Sequence, residues 1–175
     1  MVRDLGAKGS SCITAEQLAV ADWGDETASV VDQMASLQQG LSGEFDQPDR
    51  EAIARAIQFQ LFLGFGAEAR QLLSAFAAEP HANADVWRAI SHLVDGETDP
   101  QHLLQGQAAC AGPAALWAVL GDPELAPGDP IDNGAVRLAF SALPLHLRRL
   151  IGPPLVERLL ALGQEETARA LKDAI

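Results

Sequence analysis

The chain has 175 residues, of which 48% are hydrophobic, and 24 Asp and Glu outweigh 12 Lys and Arg for a net charge of −12; that is enough apolar surface for one globular domain rather than a disordered chain. It holds 31 Ala and 24 Leu but only 20 Val, Ile and Thr together, and no Tyr, a vocabulary that favours helix over strand and predicts an all-α fold. The acidic balance, with Lys8 and Lys172 the only lysines, argues against nucleic acid, whose phosphates need clustered cations, and no stretch reaches the roughly 18 to 20 apolar residues of a membrane span.

Residues 1–11 carry Gly6, Gly9, Ser10 and Ser11 with few apolar anchors, and read as a frayed terminus or an appended remnant; residues 12–175 are read as one domain. Thr14 with Gln17 is a capping-box pattern that predicts a short helix from Ala15 to Ala21. Asp25 is placed to cap a second helix, in which Val30, Val31, Met34, Leu37 and Leu41 make one apolar face, ended by Gly40 and Gly43. Pro48-Asp49 opens a third, with Glu51 in its first turn, and Ala52, Ile53, Ala56, Ile57, Phe59, Leu61 and Leu63 give it the wide apolar face of a buried helix. It stops at Gly64-Phe65-Gly66, and a helix carrying Ala69, Leu72, Leu73 and Phe76 follows at once, so the two form an antiparallel hairpin.

Asp85 begins a stripe of Val86, Trp87, Ile90, Leu93 and Val94 that closes at Asp95-Gly96. Asp99-Pro100 opens a segment with Leu103 and Leu104, and Gly112-Pro113 starts a helix through Leu116, Trp117, Val119 and Leu120. Three prolines and three glycines between Gly121 and Gly134 predict a loop over 121–134, the longest in the chain. Val136, Ala139, Phe140 and Leu143 form a short helix, Pro144 starts another through Leu147, Leu150 and Ile151, and Pro153-Pro154 starts a new one through Leu155, Leu159, Leu160 and Leu162. A turn at Gly163 leads into the last, with Ala168, Leu171 and Ile175.

Two of these turns share one formula, L-G-x4-A-R-x-L, from Leu63 to Leu72 and from Leu162 to Leu171. Leucine seals the first helix, glycine takes the left-handed conformation of a helix end, and Ala69 or Ala168 lets the second helix approach closely. In this the chain resembles the tetratricopeptide repeat, a helix-turn-helix unit with Gly at the turn and Ala five positions on, matched by Gly64 with Ala69 and Gly163 with Ala168. The Trp, Gly and Tyr of that family's first helix are not met by Ala52 to Phe62. The resemblance covers two hairpins and implies stacked antiparallel helical hairpins, an α-solenoid. The run from Gly43 to Ala69, with Pro113 to Trp117, also resembles a group of exported alphaproteobacterial proteins built from such hairpins, which implies a periplasmic address and a longer parent chain and supplies no activity.

Candidate chemistry is sparse. Cys12 and Cys110 match no metal spacing; a reducing compartment would leave them as small buried hydrophobes, and an oxidising one could join them across a loop of about 100 residues worth up to about 4.7 kcal/mol. His92, Asp95, Glu97, Asp99 and His102 form a polar cluster with metal-binding side chains at a helix end, and they also read as a capped turn. Asp122, Glu124, Asp129, Asp132 and Asn133 have the oxygens calcium prefers, in the residue types any loop uses. Glu44, Asp46, Asp49 and Glu51 read as acids at a helix start rather than a carboxylate pair across a sugar. Arg148, Arg149 and Arg158 read as a solvated helix end; Trp23, Trp87 and Trp117 read as core, and Phe65 as a wedge tucked between hairpins. The expected function is a non-enzymatic helical-repeat module that binds a protein or peptide, basic by charge complementarity, without a cofactor and with its oligomeric state left open. The alternative is a small metal-dependent hydrolase using His92, Asp95 and His102, and a third class is a structural segment of a larger exported chain.

Overall fold

Several helices of this chain begin or end where a side chain or a left-handed glycine replaces the missing backbone partners. The computed structural model describes residues 11–41, 49–78 and 80–175, which form eight α-helices and no β-strand. They are α1 (Val30–Gly40), α2 (Arg50–Leu63), α3 (Gly66–Ala75), α4 (Ala84–Val94), α5 (Ala114–Gly121), α6 (Asn133–Ala142), α7 (Leu145–Ala161) and α8 (Glu165–Asp173). The expectations for residues 1–10, and for Gly43, Glu44, Asp46 and Pro48, lie outside the described residues.

Asp49 caps α2 by accepting from the amides of Glu51 and Ala52, and Asp132 caps α6 through Ala135. The hairpin glycines act alike. Gly64 has φ +80° and Gly163 φ +75°, and in each turn the following residue donates back across it, Phe65 to the Gln60 carbonyl and Gln164 to the Leu159 carbonyl. This six-to-one closure satisfies carbonyls a helix end would otherwise leave open. Gly96, at φ +73°, ends α4 the same way, with Glu97 donating to the His92 carbonyl.

Four expectations are corrected. The Thr14–Gln17 box forms, but the segment it opens is two 3-10 turns, Glu16–Leu18 and Val20–Asp22, which serve to bury Leu18 and Val20. Ser29, not Asp25, caps α1; Asp25 instead holds a turn by accepting from the Thr27 amide and hydroxyl. Among the described residues the longest segment without a helix is not 121–134 but 95–113, between α4 and α5. The chain does not break at Pro153-Pro154, because α7 runs straight through both. A mid-helix proline removes an amide and crowds the carbonyl four residues back, at about 3 kcal/mol. Here both prolines, with Arg149 and Leu150 whose carbonyls lose their donors, lie on the exposed side. The opposite stripe of Leu147, Ile151, Leu155 and Leu159 is fully buried, and burial at about 1.5–3 kcal/mol per side chain holds the axis.

Helices α2, α3 and α4 pack in succession, α7 and α8 form the second tight hairpin, and α6 lies against α5 and α8. Helix α7 also touches α2, α4 and α5, so its buried stripe sits at the centre of one hydrophobic core with Trp87, Trp117, Phe140 and Leu116. The irregular 95–113 segment is held to this core by buried polar side chains spent on backbone. Asp99 accepts from the amides of Gln101 and Leu103, and Asp122 from those of Gly106 and Glu124. Gln107 accepts from the Ile13 amide and donates to the Ser11 carbonyl. Beside it Cys12 and Cys110 are joined as a disulfide, Cα–Cα 5.9 Å, across a separation of 98 residues. Such pairings remove the cost of burying peptide groups in a segment without helical hydrogen bonds.

Candidate functional site

The formula shared by the two hairpins buries its alanine in both copies and places its arginine at a seam in the first. Ala69 and Ala168 are almost fully buried, and the first copy shows what the close approach is for. A Cβ built on Gly66 would stand 2.0 Å from the Ser91 carbonyl oxygen and 2.7 Å from the Asp95 carboxylate, so only glycine lets α4 lie this close to the start of α3. Across the seam Arg70 donates to the Ser91 carbonyl at 2.8 Å and pairs with Asp95 at 2.9 Å and Glu97 at 3.3 Å. Asp95 also accepts from the Gly66 amide, and His92 Nδ1 lies 2.8 Å from Glu97. The hydrogen bond to His92, with the Arg70 charge behind it, holds the Glu97 carboxyl below its ordinary value.

Sequence reasoning marked His92, Asp95, Glu97, Asp99 and His102 as one cluster. The structure brings the first three together around the guanidinium of Arg70, which occupies the cation's position. Asp99 is turned into its own backbone turn, and His102 is exposed at φ +50°. Among the described residues no three His, Cys, Asp or Glu side chains are grouped to hold a metal ion. Four of the five residues marked for calcium have their side chains in other hydrogen bonds: Asp122 and Asp132 as above, Asp129 with the Ala126 amide, and Asn133 with Gln164 and Thr167. Arg148 donates to the Ala174 carbonyl, and Arg158 to those of Asp122 and Leu125, so these two cations tie helix ends down, while Arg149 is exposed as expected.

Two further corrections point to where surface is left open. Phe65 is not tucked between hairpins but 46% exposed at the start of α3. The face expected to bury α1 buries none of its residues: Val30 is 47% and Val31 75% exposed, while Met34 and Leu37 are half-buried against α2. Beside α1 lies a cleft of 500 Å³ whose apolar lining is Trp23, Leu37 and Phe59 and whose rim carries Asp22, Asp32 and Arg55. Trp87 and Trp117 are core residues, 1% exposed, whereas Trp23 is the half-buried wall of this cleft. Asp25 and Glu26 add acid next to it, and the two bonds from Thr27 keep Asp25 below the ordinary carboxylate value and so charged.

No family model, curated protein or solved structure matches this chain. Arg70 was visible in the sequence only as a letter of the repeated formula. The outer face of α8 differs from that of α3: Glu165 stands where α3 has Gly66, and Glu165, Glu166, Arg169 and Lys172 are all exposed. A side chain at that position blocks the approach that Gly66 allows α4.

Proposed function

We propose that this chain is a non-enzymatic module of stacked, tetratricopeptide-like helical hairpins whose α1 end binds a basic, amphipathic segment of another protein in an oxidising compartment. The observation that carries this reading is the state of α1, an amphipathic helix of 11 residues with none buried, beside a cleft walled by Trp23 and Phe59. Exposed apolar side chains next to a concave apolar wall are the usual anatomy of a helix-binding groove. Asp22, Asp25, Glu26 and Asp32 set the sign of the partner, since among the described residues Arg55 is the one cation on the cleft rim and already lies 3.8 Å from Glu51. The charged outer face of α8 supports the choice of α1, because stacked hairpins that end in a polar face present no apolar surface there. The Cys12–Cys110 disulfide supports an oxidising address, where such bonds persist.

The test is fluorescence anisotropy with a labelled peptide of about four helical turns, leucines on one face and lysines on the other. Binding is expected in the wild type, to fall at least about tenfold in Val31→Glu and Leu37→Glu, and to be unchanged in Lys172→Glu on α8. Equal binding of the same peptide with glutamates for lysines, or indifference to both α1 substitutions, would overturn the reading.

A further inference from the structure

The charges of this chain are segregated along it. Residues 9–49 hold eight acids and neither Lys nor Arg, whereas residues 133–156 hold Arg137, Arg148 and Arg149 and no acid. Each run carries exposed apolar side chains. In the first they are Val30 and Val31 on α1, with Asp25, Glu26 and Asp32 close by in the chain. In the second they lie at the corner where α6 passes into α7. Leu138 is 76% exposed, and Ala142, one helical turn on, is exposed too; Leu145, 39% exposed, opens α7, and the exposed Arg149 lies one turn beyond it. Arg137, next to Leu138, is offset in part by Glu166 of α8 at 3.5 Å, and Arg148 is spent on the Ala174 carbonyl, so Arg149 is the cation this corner offers. Helix α1 packs on α2, and α6 on α5 and α8, so both faces stand open in the single chain.

From these observations we infer that the chain associates with itself head to tail, the acidic apolar face of α1 in one copy seating on the basic apolar corner of α6 and α7 in the next. This association rests on the reading of the α1 surface given above, for which a second copy supplies the basic, amphipathic partner. Apposition takes the valines of one copy and the leucines of the other out of water and sets carboxylates against Arg149. The two symmetric pairings are disfavoured, since α1 on α1 sets acid on acid in a chain of net charge −12, and the corner on itself sets arginine on arginine. A contact between two different faces is heterologous, so it closes into a ring, a pair being the smallest, or runs on as a filament.

Sedimentation equilibrium of the intact, oxidised chain over the micromolar range tests this. The mean mass should rise with concentration above that of one chain. Val31→Glu on one face and Leu138→Glu on the other should each weaken association at least about tenfold. Both side chains are at least 75% exposed, so thermal melts of the variants should match the wild type. Arg149→Glu should act in the same direction while leaving the apolar surface intact. A mixture of the Val31→Glu and Leu138→Glu variants should restore a two-chain species, because each retains the face the other has lost. The leucine and lysine peptide should break up the wild-type assembly by taking the α1 face. A wild type that stays a single chain, association that survives either glutamate, or two variants that fail to associate when mixed would each overturn the proposal. Peptide binding to a chain that stays single removes the self-association and leaves the α1 reading standing, whereas loss of both removes both.

Discussion

Reduction of the Cys12–Cys110 disulfide is the perturbation with the largest effect on this fold. The bridge spans 98 residues, and in the chain-entropy model a loop of that length removes about 4.7 kcal/mol of freedom from the unfolded chain. In the folded state the flanking segments are held together independently, because Gln107 ties both the Ser11 carbonyl and the Ile13 amide. The native structure should therefore survive reduction, and the loss should appear as stability rather than as shape. For a chain of this size each kcal/mol corresponds to about 2–4 °C, so the melting temperature should fall by roughly 10–19 °C. The assay is urea and thermal unfolding followed by far-UV circular dichroism, with and without a phosphine reductant. The urea slope should rise on reduction, since the unlinked denatured chain exposes more surface. Cys110→Ser should cost more than Cys12→Ser by about 1–3 kcal/mol, because residue 110 is completely buried and a hydroxyl there needs a partner. Melting temperatures of the two redox forms within about 2 °C, or two reactive thiols in the unfolded, unreduced protein, would refute the reasoning.

Other outcomes follow from the seam and the buried carboxylates. Gly66→Ala should destabilise the chain by about 2 kcal/mol or more in urea titration, since its Cβ would fall 2.0 Å from the Ser91 carbonyl oxygen and α4 must move away. Asp122→Ala strands the amides of Gly106 and Glu124, one of them buried, and should cost about 2–3 kcal/mol in the same measurement. Glu97 has its folded-state pKa depressed by His92 and Arg70, so its contribution is present above the ordinary value of 4.5 and lost as pH falls through the lower folded value. Titration by NMR should place the Glu97 midpoint below 4.5, and His92→Ala should move it back up.

Much of the helical plan was legible because it is local. Gly64, Gly96 and Gly163 follow leucine- or valine-rich stripes, and all three adopt the left-handed conformation that ends a helix. What was not legible depends on neighbours distant in sequence. Pro153 and Pro154 read as a helix start because proline usually is one, and only the buried side chains on the far face of α7 make an unbroken helix the better solution. Periodicity marked Val30, Val31, Met34, Leu37 and Leu41 as a face, but it carries no information on whether a partner covers that face. Asp99, Gln107 and Asp122 carry the residue types of any turn, so their burial and their service to distant backbone were hidden. The acidic cluster at the end of α4 was visible; its counter-ion was not, because Arg70 precedes it by 25 residues and belongs to another helix.

The covalent ring from residue 12 to residue 110 encloses α1 to α4, and with them the proposed α1 binding surface, while α5 to α8 lie outside it. If the two termini are pulled apart, the covalent path runs through the sulfur atoms and bypasses the enclosed residues. At about 3.6 Å per residue, the ring withholds about 350 Å of slack from the stretched chain. The outer four helices can peel away under load while the inner four stay tethered in a closed circuit, so under tension the grip on a ligand should outlast the body that carries it.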